Sequence, residues 1–149
     1  YKYSISLHPK PKTGDWNGSG AHINFSTPSM RMAKSSSIEY LESVCDEFGN
    51  HPELIRVYGE DNNLRLTGKH ETAHIEDFSY GVSDRTKSIR IPADTANEER
   101  GHLEDRRPAA NMDPYQAFTS IIGVLQQVPV AAIRGGDETE VEHEVESGT

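Results

Sequence analysis

Residues 14–26, GDWNGSGAHINFS, join a glycine-rich turn to a segment that alternates strictly between polar and apolar side chains. In a strand this alternation places His22, Asn24 and Ser26 on one face, and Ile23 and Phe25 on the other. Glycines in the preceding turn would let a ligand approach the backbone closely. The segment therefore predicts a ligand site on the polar face of a sheet.

Arginines form the second set of residues that could do chemistry. Arg65 and Arg90 lie in alternating segments, opposite aliphatic residues. A guanidinium fork matches carboxylates and phosphates, so several arginines on one face would suit a polyanionic ligand. For any single arginine, solvated surface charge is the ordinary interpretation. The whole set comprises Arg65, Arg85, Arg90, Arg106 and Arg107.

The segment at 101–108, GHLEDRRP, places a carboxylate beside arginines. If it is extended, Glu104 and Arg106 share one side of the strand. Two interpretations stay open from these residues alone. The pair is either a plain ion pair or a metal ligand next to an anion clamp.

Two further acidic or histidine motifs have weaker support. HETAH, residues 70–74, matches the zinc-peptidase pattern H-E-x-x-H, which requires a helix so that both histidines share one face. Gly68 before it, and Phe78 and Gly81 after it, favour a polar loop instead. A zinc hydrolase that uses His70, Glu71 and His74 is an alternative function. The alternating glutamates of the tail are typical of a solvated charge run.

Several short elements must position these residues. Alternation predicts strands at 1–7, 21–26, 54–58, 64–67 and 87–91. A serine cap at 36 or 37 and a glycine stop at 49 predict a helix over 36–48, and Asp113 followed by Pro114 predicts a second helix start. The expected apolar positions are Ile38, Leu41, Val44, Cys45 and Phe48 in the first helix, and Tyr115, Phe118, Ile121, Ile122 and Leu125 in the second. The predicted fold class is α+β, with a largely antiparallel sheet and helices packed on one face.

Composition limits the classes of protein to consider. The chain has 149 residues and a net charge of −9, and residues 137–149 hold −6 of it, which leaves −3 for the rest. The predicted division is a domain over 1–134 and an acidic, disordered tail over 135–149. Nucleic acid and membrane partners have no support, because the sequence has neither a long basic stripe nor a long apolar run. A single cysteine favours a reducing compartment.

Four motifs in this order resemble the glutamine synthetase family: KPKTGDWNGSGAHINFST, RLTGKHET, DFSYGVSDRTKSIRIP and GHLEDRRPAANMDPY. The likeness runs from about residue 4 to 127 and is greater to the eukaryotic-type (group II) enzymes. It implies the carboxy-terminal part of a catalytic half-barrel. It also implies ATP-dependent formation of glutamine from glutamate and ammonia, by way of a γ-glutamyl phosphate. Mg²⁺ or Mn²⁺ would be the cofactor.

The resemblance also assigns roles to residues. His22 and Glu104 correspond to metal ligands. Catalytic positions correspond to Glu71, Arg85 and Arg90, where Glu71 belongs to a flap that closes over the intermediate. Glutamate-binding positions correspond to Trp16, Asn17, Gly18, Arg65 and Arg106. Nucleotide-binding positions correspond to Asn24, Phe25, Ser26, Arg31, Arg85, Arg90 and His102.

Family members are longer, so the resemblance implies that an amino-terminal domain and the first half of the site are missing. Two metal ligands cannot make a tight site for a hard cation. We therefore expect the isolated chain to be inactive, and expect a working enzyme to be a homo-oligomeric ring of such subunits. A truncated, non-catalytic relative that associates with full-length subunits is the alternative.

Overall fold

The computed structural model describes residues 2–130. Its strands are β1 (Ile23–Phe25), β2 (Tyr80–Val82), β3 (Ile89–Ile91) and β4 (Leu103–Asp105). Its α-helices are α1 (Pro28–Arg31), α2 (Ile38–Gly49), α3 (Ala93–Glu98) and α4 (Pro114–Leu125), and 3-10 helices cover Pro52–Val57 and Asn62–Leu64. The predicted acidic tail lies outside the described residues, so the domain boundary stays a prediction.

The four strands form one sheet in the order β1-β4-β3-β2. β4 is antiparallel to both of its neighbours, which confirms the α+β class and the largely antiparallel sheet. β2 and β3 are parallel, although six residues connect them. Such a short return is possible because a three-residue strand extends only about 10 Å. The left-handed φ of 54° at Ser83 turns the chain directly after β2.

β1 shows the predicted alternation. Ile23 and Phe25 are buried, and Asn24 between them is exposed. The ring of Phe25 stacks on Phe48 of α2 with 4.7 Å between centroids. α2 therefore covers the apolar face of the sheet, which leaves the other face for polar side chains.

α2 is confirmed close to its predicted limits. The Ser37 hydroxyl accepts a hydrogen bond from the backbone N–H of Tyr40 and caps the helix, which ends at Gly49. Four of its five predicted apolar positions are buried: Leu41, Val44, Cys45 and Phe48. Capping and a 3.6-residue apolar period were sufficient here because both are local signals.

α4 starts as predicted, but the face that it buries differs. Asp113 accepts hydrogen bonds from the N–H groups of Tyr115 and Gln116, and Pro114 occupies the first turn. The buried residues are Ala117, Ile121 and Val124, whereas Tyr115, Phe118 and Ile122 are 83%, 47% and 55% exposed. The apolar stripe of α4 is wider than the surface that the helix buries. The row formed by Ala117, Ile121 and Val124 faces the core.

Three predicted strands are wrong. Residues 2–7 form no strand, and the apolar side chains of their alternating pattern, Tyr3, Ile5 and Leu7, are exposed. Alternation predicts a strand only where a neighbouring strand completes the hydrogen-bond ladder. Residues 54–58 lie mostly in a 3-10 helix, because Pro52 at its first turn favours helical backbone. Tyr1 lies outside the described residues.

The predicted strand at 64–67 fails for a different reason. Leu64 ends a 3-10 helix and is 47% exposed, while Arg65 is 5% exposed. The expected burial of Leu64 and Arg65 is thus exchanged, although Leu66 is buried as expected. The buried guanidinium of Arg65 makes a set of hydrogen bonds described below. β2 was not predicted, and β4 was predicted only as a possible extended piece.

Within residues 2–130, no helix is long and apolar enough to cross a membrane.

Candidate active site

Strand register brings the predicted polar residues together. Asn24 of β1 and Arg90 of β3 are both register partners of Glu104 in the central strand β4. His22 immediately precedes β1, and Arg106 immediately follows β4. Residues that alternate along a strand share a face, so these side chains meet on the polar face of the sheet.

Glu104 is the centre of this cluster. Its Oε1 lies 3.0 Å from Nδ1 of His22 and 3.2 Å from a guanidinium nitrogen of Arg106. Nε of Arg90 donates to the other carboxylate oxygen. The Glu104 side chain is 9% exposed, so a nearly buried carboxylate is held by one imidazole and two guanidinium groups.

The charges of the cluster affect both titrating groups. Burial raises the pKa of Glu104, but the hydrogen bond from Arg90 and the charges of Arg106, Arg90 and His22 outweigh it and keep this pKa below its usual 4.5. Burial and then the charge of Arg106 lower the pKa of His22, against the opposing effect of Glu104. At neutral pH the site therefore favours a charged carboxylate beside a neutral imidazole.

Arg65 forms the floor of the adjacent cleft. Its Nη2 donates to the carbonyl oxygens of Arg106, Arg107 and Pro108, at 3.2, 2.6 and 2.9 Å, and its Nε donates to Asn62. Burial, and then the charge of Arg106, lower the pKa of Arg65 to about 10. This guanidinium is fixed by backbone acceptors, and a buried cation of this kind favours an anionic ligand.

The cleft has a volume of about 160 Å³, and its lining residues are Asn17, Gly18, Gly20, His22, Arg65, His70, Glu71, Thr72 and Arg106. Arg106 connects the cluster to two loops. Its Nε donates to the carbonyl of Arg85 at 3.2 Å, and its Nη2 donates to the carbonyl of Glu71 at 3.3 Å. The cleft thus lies between the glycine-rich loop and the 67–74 loop, with arginines at its base.

Glycine is required in the wall of this cleft. A Cβ at Gly20 would stand 2.8 Å from Nη1 of Arg65 and 3.2 Å from Nε2 of His22. A Cβ at Gly18 would overlap Cγ of Arg65 and lie 2.5 Å from the carbonyl oxygen of Pro9. The carbonyl oxygen of Pro9 cannot move away easily, because it accepts a hydrogen bond from the N–H of Ser19 at 2.7 Å.

Replacing Gly18 by alanine is therefore expected to destabilise the chain by about 1–3 kcal/mol, the usual cost of forcing a methyl group into a filled space. Denaturant unfolding of the 149-residue chain measures the effect. Gly123→Ala is the matched control, because a Cβ there meets nothing within 4 Å and lies inside α4. It should leave stability unchanged or raise it by up to about 1 kcal/mol. Equal effects of the two substitutions would contradict the tight packing at Gly18.

Other predicted residues lie around the cluster rather than in it. Arg85 is exposed, and its carbonyl group is what contacts Arg106. Arg31 donates to the carbonyl of Ser26, and the Ser26 hydroxyl donates to that of Gly101. The Phe25 side chain is in the core, so only its backbone borders the polar face. Trp16 is half exposed with Lys12 over its ring, and His102 is partly buried.

Arg107, the fifth arginine of the predicted set, lies on the opposite face of the sheet. It forms two hydrogen bonds with the fully buried Asp105, at 2.9 and 2.7 Å, and Tyr58 donates to the same carboxylate at 2.7 Å. The alternation of residues 104–107 could have predicted that Arg107 and Arg106 lie on opposite faces. Glu104 and Arg106 face the cleft, and Asp105 and Arg107 face the interior.

The HETAH motif is a loop, as predicted from its flanking residues. His74 pairs with Thr67 in an isolated β-bridge, and both His70 and Glu71 have left-handed backbone. The helix that a zinc-peptidase site requires is thus replaced by a turn. Within residues 2–130, no group of three or more histidine, cysteine, aspartate or glutamate side chains is arranged to bind a metal ion.

For a divalent metal, the described residues offer part of a site. An imidazole nitrogen and a carboxylate oxygen 3.0 Å apart could share one ion. Both oxygens of Glu104 already accept from arginines, and a hard cation needs about six ligands. His22 and Glu104 therefore fit as two members of a larger ligand set and not as a complete site.

The polar face of this α+β sheet concentrates a carboxylate, an imidazole and several guanidinium groups around one cleft. Guanidinium groups arranged in this way are suited to carboxylates and phosphates. Comparison with known proteins specifies the class of protein. The chain is 54% identical over 119 residues to the glutamine synthetase of Agaricus bisporus, covering 79% of this chain and 33% of that protein. It is 55% identical over 122 residues to a putative glutamine synthetase of Acanthamoeba polyphaga mimivirus, covering 82% and 34%. No protein-family model matches the chain.

The glutamine synthetase of Saccharomyces cerevisiae is 46% identical over 136 residues, which cover 91% of this chain and 35% of the yeast protein. The chain therefore belongs to the glutamine synthetase family. It spans about a third of the length of the curated relatives that it matches, which is consistent with a carboxy-terminal part.

Proposed function

We propose that this chain contributes the carboxy-terminal part of the active site of a glutamate–ammonia ligase, which forms glutamine from glutamate, ammonia and ATP. One observation carries the proposal. In a chain 46–55% identical to glutamine synthetases, polar residues from separate strands and loops converge on one cleft, with Glu104 held between His22, Arg90 and Arg106.

The reaction sets an electrostatic problem that the arginines are suited to solve. The γ-carboxylate of glutamate must attack the terminal phosphate of ATP, and ammonia must then displace phosphate from the acyl group. Both reactants are anions, so fixed positive charge is needed where they meet. Arg65 and Arg106 line the cleft and would hold glutamate carboxylates. Arg90 and Arg85 would neutralise the transferring phosphate.

The loops around the cleft would bind the other substrate groups. Trp16, Asn17 and Gly18 would hold the amino-acid group of glutamate. The nucleotide would lie along β1 and the residues beside it: Asn24, Phe25, Ser26, Arg31 and His102. Glu71, at the rim of the cleft, would position ammonium and help to deprotonate it. A loop over the site also excludes water, which would otherwise hydrolyse the acyl phosphate.

Mg²⁺ or Mn²⁺ is the proposed cofactor, with His22 and Glu104 among its ligands. When bound, the ion supplies further compensation for the phosphate charge. Its remaining ligands would come from other parts of a full-length subunit, and we propose a homo-oligomeric ring in the cytoplasm as the working assembly. On this proposal the 149-residue chain alone is inactive.

A chimera tests the function directly. The aligned segment of the Saccharomyces cerevisiae glutamine synthetase is replaced by the corresponding segment of this chain, and glutamine formation is measured with glutamate, ATP, Mg²⁺ and ammonia. We expect the chimera to retain activity within about tenfold of the yeast protein, because the two segments are 46% identical over 136 residues and a site that keeps its polar groups keeps most transition-state contacts. The 149-residue chain is assayed in parallel and is expected to show none.

A folded chimera of correct oligomeric size without activity would contradict the catalytic proposal. That result would favour the alternative of a non-catalytic relative that associates with full-length subunits. Turnover by the 149-residue chain alone would contradict its proposed incompleteness.

A further inference from the structure

The loop over residues 67–74 is fastened firmly at its base. Thr67 and His74 form a β-bridge, and the Thr72 hydroxyl donates to the Lys69 carbonyl at 2.8 Å. The same hydroxyl accepts from the N–H of Thr67 at 3.3 Å. Because Thr72 is buried, the base of the loop packs against the rest of the domain. The tip of the loop, His70 and Glu71, lines the cleft.

The tip has an unfavourable backbone. His70 and Glu71 are consecutive, and their φ angles are 57° and 59°, in the left-handed region that non-glycine residues rarely occupy. Strained backbone of this kind persists where surrounding contacts hold it in place. The contacts on the tip therefore decide whether Glu71 stays over the cleft.

Two contacts hold the tip. The Arg106 guanidinium donates to the Glu71 carbonyl at 3.3 Å, from the floor of the cleft. From the opposite rim, Oδ1 of Asp15 lies 2.9 Å from Nε2 of His70. Asp15 belongs to the glycine-rich loop that precedes β1, so this second contact bridges the mouth of the cleft from one wall to the other.

We propose that Asp15 and His70 are positioning residues, a strap that holds the tip of the 67–74 loop across the cleft and keeps water from the acyl phosphate. This rests on the proposed function. The strap acts locally. The Asp15 side chain is 95% exposed, and exposed ion pairs contribute little to global stability. Its removal should free the tip without unfolding the chain.

Hydrogen exchange of the 149-residue chain tests the strap without any assay of activity. Asp15→Ala should speed amide exchange in residues 68–73 about two- to fivefold, as expected for loss of one exposed pair. Exchange in α2 should not change. Asp15→Asn keeps the size of the side chain and an oxygen at the position that lies 2.9 Å from Nε2 of His70, and should remain near the rate of the unsubstituted chain.

Glu98→Ala is the matched control, because it removes another exposed ion pair, Glu98–Arg100 at 3.3 Å, outside the cleft. It should leave exchange in 68–73 unchanged. Equal exchange in Asp15→Ala and the unsubstituted chain would overturn the strap, and so would the same acceleration in Glu98→Ala.

The active chimera provides the second measurement, which is the ratio of phosphate released to glutamine formed. If the tip opens, water attacks the acyl carbon of γ-glutamyl phosphate in place of ammonia. The bond from that carbon to the phosphate oxygen breaks, and glutamate and phosphate are returned without glutamine. Asp15→Ala should therefore raise the ratio above one, with an unchanged KM for ATP. Asp15→Asn should restore it towards one.

A ratio that stays at one in Asp15→Ala would overturn the positioning role. If the unsubstituted chimera is itself inactive, the proposed function fails, whereas the exchange measurement still decides whether the strap holds the loop.

Discussion

Asp105→Ala is expected to lower the free energy of unfolding by about 3–5 kcal/mol, the usual cost of leaving one partner of a buried ion pair uncompensated. Asp105 is fully buried and accepts from Arg107 and Tyr58. Burial lowers the pKa of Arg107, but Asp105 outweighs this and raises it. Without the carboxylate, a guanidinium between the rings of Tyr58 and Phe78 would remain charged and buried.

Urea unfolding of the 149-residue chain measures this effect. Glu98→Ala is the control, because its partner Arg100 is 44% exposed and the pair is solvated. Its effect should stay within about 0.5 kcal/mol. If Asp105→Ala lowers the free energy of unfolding by less than about 1 kcal/mol, the Asp105–Arg107 pair does not stabilise the buried side of β4.

Glu104→Gln is the second substitution with a large expected effect. Glutamine keeps the shape and one acceptor oxygen but removes the negative charge between Arg90, Arg106 and His22. Activity of the chimera should fall about 100-fold or more, since loss of a single partner in a metal's outer shell already costs 10–100-fold. Glu98→Gln should retain full activity. Near-normal turnover of Glu104→Gln would remove Glu104 from the proposed site.

The pH dependence of stability should differ between the unsubstituted 149-residue chain and its Glu104→Gln variant. The pKa of Glu104 in the folded state lies below its usual 4.5, so its charge stabilises the fold above that pH. This contribution is lost as the pH falls below about 4.5 towards the lower folded-state pKa. The unsubstituted chain should therefore lose more stability on acidification through this window than Glu104→Gln, measured by urea midpoints. Equal losses would contradict the assignment.

Local signals predicted the parts of the fold that depend on neighbours in sequence. Ser37 and Asp113 cap helices, and the alternation at 23–25 sets the two faces of β1. Alternation was misleading at 64–67, where the buried hydrogen bonds of Arg65 oppose it. The buried face of α4 was also mistaken, because periodicity describes which residues are apolar and not which of them meet the core.

The sequence by itself determined the chemistry available: the family, the types of residue at the site, and which of them share a strand face. Only the tertiary structure decided how they combine. It set β4 between β1 and β3, so that Glu104 meets both His22 and Arg90, and it buried the pair Asp105–Arg107 beside the hydroxyl of Tyr58. The reason is physical. Caps and alternation depend on adjacent residues, whereas strand order and the burial of Arg65 and Arg107 depend on contacts between residues tens of positions apart.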